Sequence, residues 1–168
     1  MKITLRSELI NDYDEIDSVI LSAFKQNNEV HLVHKLRKTK QYNPELSIVA
    51  FLGGKIIGHI LFYPLKIGEF ETLILAPLAV TLKYQRMGIG GKLIEEGLIR
   101  SLEQGFTSVL VVGHPEYYPR FGFEKASRWG IRLSSNVPDE AFMAIELIEG
   151  SLIGKKGLVD LPKPYLEC

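Results

Sequence analysis

The sequence is poor in cysteine, has no surplus of either charge and contains no long apolar run, and each lack removes a class of protein. Its single cysteine is the last residue, Cys168, which excludes a disulfide framework and any cysteine-rich metal site and fits a reducing compartment. Lysine plus arginine number 20 and aspartate plus glutamate number 20, a formal net charge of +0. A dedicated nucleic-acid binder usually carries a basic excess, so no nucleic-acid partner is expected. The stretch over residues 56–67 is interrupted by His59, Pro64 and Lys66, and no apolar run approaches the roughly 18 residues a membrane helix needs. The start, Met-Lys-Ile-Thr-Leu-Arg, turns acidic by Asp12 and Asp14 and has no apolar core of a leader peptide. No membrane partner follows, and the expected location is cytoplasmic.

What is present is ordinary globular usage. Of 168 residues, 46% are apolar and 24% charged, so the chain can build a packed core. Its length fits one domain, able to bury roughly 70% of its unfolded surface without metal or disulfide. Residues 2–6 alternate polar and apolar, as a short strand does. Asn11 or Asp12 can cap a helix whose Ile16, Val19, Ile20 and Phe24 share a face. A second helix fits Glu29 to Lys38, with Val30, Val33 and Leu36 on one side. The basic run from Lys35 to Lys40 reads as a solvated helix end, with cations favoured near the C-terminus.

Strands come next. Ser47 to Leu52 and Ile56 to Leu65 flank Gly53-Gly54, a two-residue hairpin signal. Gly68-Glu69 suggests a second hairpin into Thr72 to Thr81, a run apolar on both faces and therefore central in a sheet. Pro77 within it has no N–H for a ladder, which predicts a bulge or a split there. The period then changes. Ile89, Leu93, Ile94, Leu98 and Leu102 recur at helical spacing, and Gly105 stands where a C-cap glycine belongs. Thr107 to Val112 is a buried strand, so helix and strands form a βαβ unit with parallel partners. Gly113 to Arg120 is a short turn or helix, Phe121-Gly122-Phe123 enters another strand, and Ala141 to Ile148 makes the last. The fold class is α/β of the α+β type, a mixed sheet with helices on its faces. Residues 1–148 form the domain. Residues 149–168, with Gly150, Gly154, Gly157, Pro162 and Pro164, are expected to be a tail that packs loosely or meets a partner.

The sharpest chemical feature is Lys83-Tyr84-Gln85-Arg86-Met87-Gly88-Ile89-Gly90-Gly91-Lys92, between an apolar strand and a helix. Glycines there permit positive φ and close approach. The first amides of the helix, aided by its dipole, form an anion site. Lys83, Arg86 and Lys92 add local positive charge. A phosphate or diphosphate cradle is the physical inference, against the plainer reading of a glycine-rich helix start without a ligand. A Walker loop would need Ser or Thr after Gly91-Lys92, where Leu93 stands, and the dinucleotide fingerprint also meets Leu93 in place of its third glycine.

Gln85-Arg86-Met87-Gly88-Ile89-Gly90 resembles the [QR]-x-x-G-x-[GA] loop of the GNAT N-acetyltransferase superfamily. As in that family, an apolar strand ending Leu78-Ala79-Val80 precedes it. A helix, an apolar strand and then Tyr118-Pro119-Arg120-Phe121-Gly122-Phe123 follow it, similar to the family's Tyr-x-x-x-Gly-Phe element. The resemblance covers residues 2–148. It implies a mostly antiparallel central sheet with one splayed parallel pair and helices on both faces. It implies acetyl-CoA as co-substrate, held by Gln85, Arg86, Met87, Gly88, Ile89, Gly90 and Gly91 at its diphosphate and by Leu78, Ala79 and Val80 along its pantetheine arm. Where the family often carries an asparagine before the tyrosine, this chain has Leu110-Val111-Val112-Gly113-His114.

Acetyl transfer needs a neutral amine and benefits from an acid that protonates the leaving thiolate. Tyr118, aligned with the family's tyrosine, is the candidate acid, with Tyr117 its neighbour and competitor. His114 is the candidate base, because a free imidazole titrates near pH 6.5; a water relay is the alternative. Glu29, on the helix that in this family borders the acceptor cleft, is the candidate for holding a cationic substrate. His59, His31 and His34 are given structural roles, and so are Arg128 and Trp129. The expected function is N-acetylation of a small-molecule or peptide amine by direct attack, without metal. A non-catalytic acyl-CoA-binding module is the alternative. A homodimer is left open.

Overall fold

A computed structural model describes residues 2–167. The elements run β1 (Thr4–Ser7), α1 (Tyr13–Phe24), α2 (Asn28–Arg37), β2 (Ser47–Leu52), β3 (Lys55–Ile67), β4 (Phe70–Val80), α3 (Ile89–Glu103), β5 (Ser108–Val112), β6 (Glu124–Lys125), β7 (Ile131–Leu133), β8 (Phe142–Glu146), β9 (Gly157–Val159) and α4 (Lys163–Leu166). Seven strands form one sheet in the order β1-β2-β3-β4-β5-β8-β6. Every pairing in it is antiparallel except β4 with β5.

The inner strands read as unbroken apolar runs because both faces of the sheet are covered. Alternate residues enter opposite cores, as the period of two requires. Val49 of β2, Ile74 of β4 and Leu110 of β5 face the core under α1 and α2. Ile48, Leu73 and Val109 face the core under α3. On α1, Ile16, Val19 and Ile20 are buried as the spacing predicts, but Phe24 is 37% exposed.

Pro77 has the effect its missing N–H predicts. Phe62 pairs with Leu75 and Ile60 with Leu78, so β4 carries one more residue than β3 between those pairs. A single extra residue exchanges the two faces of a strand. Before the bulge Leu73 and Leu75 face α3; after it Leu78 and Val80 do, while Ala79 turns to the α1 side.

On α3 the buried face is Ile89, Leu93, Ile94, Gly97 and Ser101, whereas Leu102, expected on that face, is 43% exposed. A side chain at Gly97 would run into the ring of Phe62, which is buried. The small residue sets how closely α3 approaches the sheet. Gly97→Ala gains about 1 kcal/mol of helix propensity but overpacks a site that tolerates no added methyl, at about 3 kcal/mol. A net loss of about 2 kcal/mol is expected from urea unfolding. An unchanged midpoint would refute this account of the α3 contact.

The C-terminal segment is not the loosely packed tail that its glycines and prolines suggest. Leu152 and Val159 are fully buried. β9 pairs in parallel with β7. The Tyr165 hydroxyl donates to the Ala76 carbonyl at the β4 bulge, 3.0 Å away. Here the glycines serve turns between anchored residues. Cys168 lies outside the described residues. No helix among the described residues is long and apolar enough to cross a membrane.

Candidate active site

β4 and β5 pair only at Leu73 with Val109 and Ile74 with Leu110. Beyond Ile74 the two strands separate, leaving the far end of β4 without a strand partner on that side. A cleft of about 1230 Å³ opens there. It is lined by the end of α1, the start of α2, β4 from Leu75 onward, the start of α3 and the turn after β5.

The strand-to-helix loop is fixed locally. Thr81 N–H donates to the Ile57 carbonyl at 2.8 Å and Leu82 N–H to Ser22 Oγ at 3.0 Å. Gln85 Nε2 donates to the Val80 carbonyl at 2.9 Å, stapling the loop to the strand it leaves. Arg86 then adopts φ 65° and Gly88 φ 84°, a left-handed turn that glycine makes at little cost. The first bond of α3 runs from Lys92 N–H to the Gly88 carbonyl at 3.2 Å. The amides of Gly88, Ile89, Gly90 and Gly91 precede it and have no acceptor within the helix. They are unpaired donors at the positive end of a 15-residue helix, a chemistry suited to an anion.

The turn after β5 packs its aromatic side chains onto this start. Phe121 lies over Gly91, Tyr117 over Gly90 and Tyr118 over Gly113. Tyr117 and Tyr118 meet edge to face with centroids 5.2 Å apart, and Tyr118 meets Phe123 at 5.6 Å. Tyr118 is buried. Burial, with a smaller contribution from Tyr117, pushes its phenol up to about 12, so it holds its proton through neutral pH.

The residues singled out in the sequence mostly meet here. Glu29, Leu78, Val80, Gln85, Arg86, Gly88, Ile89, Gly90, Gly91, His114 and Tyr118 line the cleft. Two do not. Ala79 points into the core below α1, because the bulge sets that phase. Met87 is 54% exposed outside the lining residues, at the outer corner of the loop. Of the three cations in the loop region only Arg86 lines the cleft, where Arg120 joins it. Glu29 accepts from Gln26 Nε2 at 3.0 Å, which holds its carboxylate at the start of α2. Phe24 and Leu32 add apolar wall near it. Phe24 is the helix-face residue that the core does not use, and its helical spacing gives no sign of the cleft. Trp129 packs against the α1-side core, with Arg128 5.0 Å over its ring, away from the cleft. Among the described residues no cluster of three or more His, Cys, Asp or Glu could hold a metal ion.

A mixed sheet that opens between its one parallel pair, above the free amides of a glycine-initiated helix, defines an acetyltransferase. Residues 12–123 match the acetyltransferase (GNAT) family, and the chain belongs to that family. It is 35% identical to the N-acetyltransferase YhbS of Escherichia coli over 159 residues, 93% of this chain and 94% of that one. It is 42% identical to the N-acetyltransferase YjhQ of E. coli over 118 residues, 68% of this chain and 65% of that protein's length. The crystal structure of E. coli YhbS in complex with CoA superposes with a TM-score of 0.93 at 31% identity, covering 99% of this chain and 93% of that one. A GNAT acetyltransferase from Brucella melitensis in complex with acetyl-CoA gives 0.80 at 30% identity, covering 98% of each chain.

Proposed function

We propose that the protein transfers the acetyl group of acetyl-CoA to a primary amine by direct attack. One observation carries the reading: the free amides of α3, the open edge of β4 and the buried hydroxyl-bearing Tyr118 share a single cleft. The amides of Gly88 to Gly91 bind the diphosphate. The edge of β4 beyond its bulge receives the pantetheine arm, with Leu78 and Val80 beneath it and Ala79 contributing backbone only. The CoA complexes of the YhbS and Brucella proteins, both at 30% identity or more, support this placement.

The amine nitrogen attacks the thioester carbonyl carbon, the C–S bond breaks, and the thiolate takes a proton from Tyr118. The nitrogen loses a proton to His114, directly or through a water. An ammonium has no lone pair, and a lysine-like amine is neutral in only about one molecule in a few thousand at about pH 7. Loss of the ammonium proton therefore precedes attack and is a large part of the chemical barrier, while the proton passed to His114 after attack leaves the nitrogen as the amide. Glu29 attracts the cationic form of the acceptor into the cleft. The acceptor class is a small-molecule or peptide amine.

The reading is tested by release of CoA thiol from acetyl-CoA in the presence of a panel of amines: polyamines, arylalkylamines, amino acids and peptide N-termini. Amine-dependent thiol release with formation of the matching amide is the expected result. Binding of acetyl-CoA with no turnover on any amine would instead assign a non-catalytic acyl-CoA-binding module.

A further inference from the structure

Two tyrosines stand side by side at this cleft, and the second has a place of its own. Tyr118 lies against Gly113, at the end of β5. Tyr117 crosses to the start of α3, where its hydroxyl oxygen stands 2.8 Å from the position a Cβ on Gly90 would occupy. That oxygen lies over the first turn of the helix, whose amides have no acceptor within the helix. Among the described residues the Tyr117 hydroxyl has no hydrogen-bond partner, although the residue is half-buried and wedged edge-on between Tyr118 and Phe121, with centroids 5.2 and 5.3 Å away. A positive group is also at hand: the Arg120 guanidinium is 4.9 Å from the Tyr117 ring centroid.

Unpartnered donors that line one cleft call for an acceptor bearing negative charge. We propose that Tyr117 is a diphosphate-binding residue, its hydroxyl donating to the cofactor's diphosphate beside the first turn of α3, with Arg120 fixing the ring and adding charge. This rests on the reading that the cradle holds coenzyme A. The two tyrosines then divide the cofactor between them, Tyr118 serving its sulfur end and Tyr117 its phosphate end. Glycine at position 90 gains a second reason. A Cβ there would displace the hydroxyl, whatever it did to the phosphate. Burial raises the Tyr117 phenol above its ordinary value, against a smaller opposing effect of Arg120, which keeps the hydroxyl a donor.

Calorimetry on the purified full chain tests this without knowledge of the acceptor. Tyr117→Phe keeps the ring and its contacts and removes only the oxygen. The expected result is an affinity for CoA, and for dephospho-CoA, lowered by about tenfold, the loss expected for a hydrogen bond to a charged group. Inhibition of CoA binding by pantetheine, which has no diphosphate, should be unchanged. Gly90→Ala should weaken CoA binding in the wild-type background by a larger factor than in the Tyr117→Phe background, because the added methyl then meets less. An equal loss for pantetheine and CoA, or no loss for either, would overturn the proposal and leave the cradle reading intact. A wild-type protein with no heat of CoA binding would remove the cradle reading itself. Unfolding midpoints for each variant distinguish lost binding from lost folding.

Discussion

Replacing Tyr118 with phenylalanine is expected to lower kcat by about 10²–10⁴-fold, the usual contribution of a positioned acid, and to leave the affinity for acetyl-CoA within a factor of about two. The ring stays in its aromatic cluster with Tyr117 and Phe123. Its hydroxyl has no protein partner among the described residues, so the change strands no buried group and stability should hold. The loss is therefore chemical. The leaving thiolate of CoA, with a thiol pKa near 8.5, departs as an anion unless a donor meets it. The pH profile gives an independent check. Burial pushes the Tyr118 phenol up to about 12 from the ordinary 10.0, and an acid must be protonated to act. The rate should thus climb with pH as more of the amine becomes neutral, with no descending limb near pH 10. A limb there in the wild type, or a Tyr118→Phe enzyme with unchanged kcat, would remove Tyr118 as the acid. A variant that loses acetyl-CoA affinity on this change would instead make the residue a binding group.

Much of this site is legible in the sequence because its determinants are local. A run of apolar residues, a glycine loop and a helical period lie in one continuous stretch from Thr72 to Glu103, and local stretches announce their structure. Pro77 announces the bulge for the same reason: a missing N–H acts where it stands. What the bulge does to phase is less visible. Leu78, Ala79 and Val80 read as equivalent neighbours, yet only the first and third face the cleft, because direction depends on counting residues against β3. The contact face of α3 is hidden differently. Gly97 lets the helix approach the ring of Phe62, and small residues leave no mark in a hydrophobic pattern. The C-terminal segment misleads because glycine and proline signal turns whether or not the residues between them are buried. The pairing of β9 with β7 spans 26 positions, from Ile131 to Gly157, and no local rule encodes a parallel pairing of that kind.

The largest stability effect is expected far from the cleft, at Glu8. The carboxylate is buried, its side chain 1% exposed, and Arg37, 7% exposed, donates Nε to it at 2.9 Å. Ser47 Oγ donates at 2.6 Å, His59 Nε2 lies at 3.1 Å, and the Tyr42 hydroxyl donates as well. The basic run from Lys35 to Lys40 has the pattern of a solvated helix end, but Arg37 is drawn inward to this buried carboxylate. The network ties β1, β2 and β3 to the last turn of α2, whose first turn presents Glu29 to the cleft. His59 Nδ1 is a buried side-chain polar atom with no partner among the described residues, so the site is already only partly satisfied. Glu8→Ala leaves Arg37 buried without a counter-charge, for which a loss of about 3–5 kcal/mol is expected, a large share of the roughly 5–15 kcal/mol total of a typical domain. Urea unfolding at about pH 7 measures it, and a loss under about 1 kcal/mol would show that the charges are solvated after all. The pH dependence follows with a definite sign. Burial alone would raise the Glu8 carboxyl, but hydrogen bonds from His59, Arg37 and Ser47 outweigh it and hold it far below its ordinary 4.5. A carboxyl depressed in the folded state contributes stability that is present above its unfolded value and lost as pH falls below it. Wild-type stability should therefore decline on acidification from about pH 4.5 downward, and Glu8→Gln, less stable at neutral pH, should decline less over the same interval. Parallel curves for the two proteins would assign the acid sensitivity to other carboxylates.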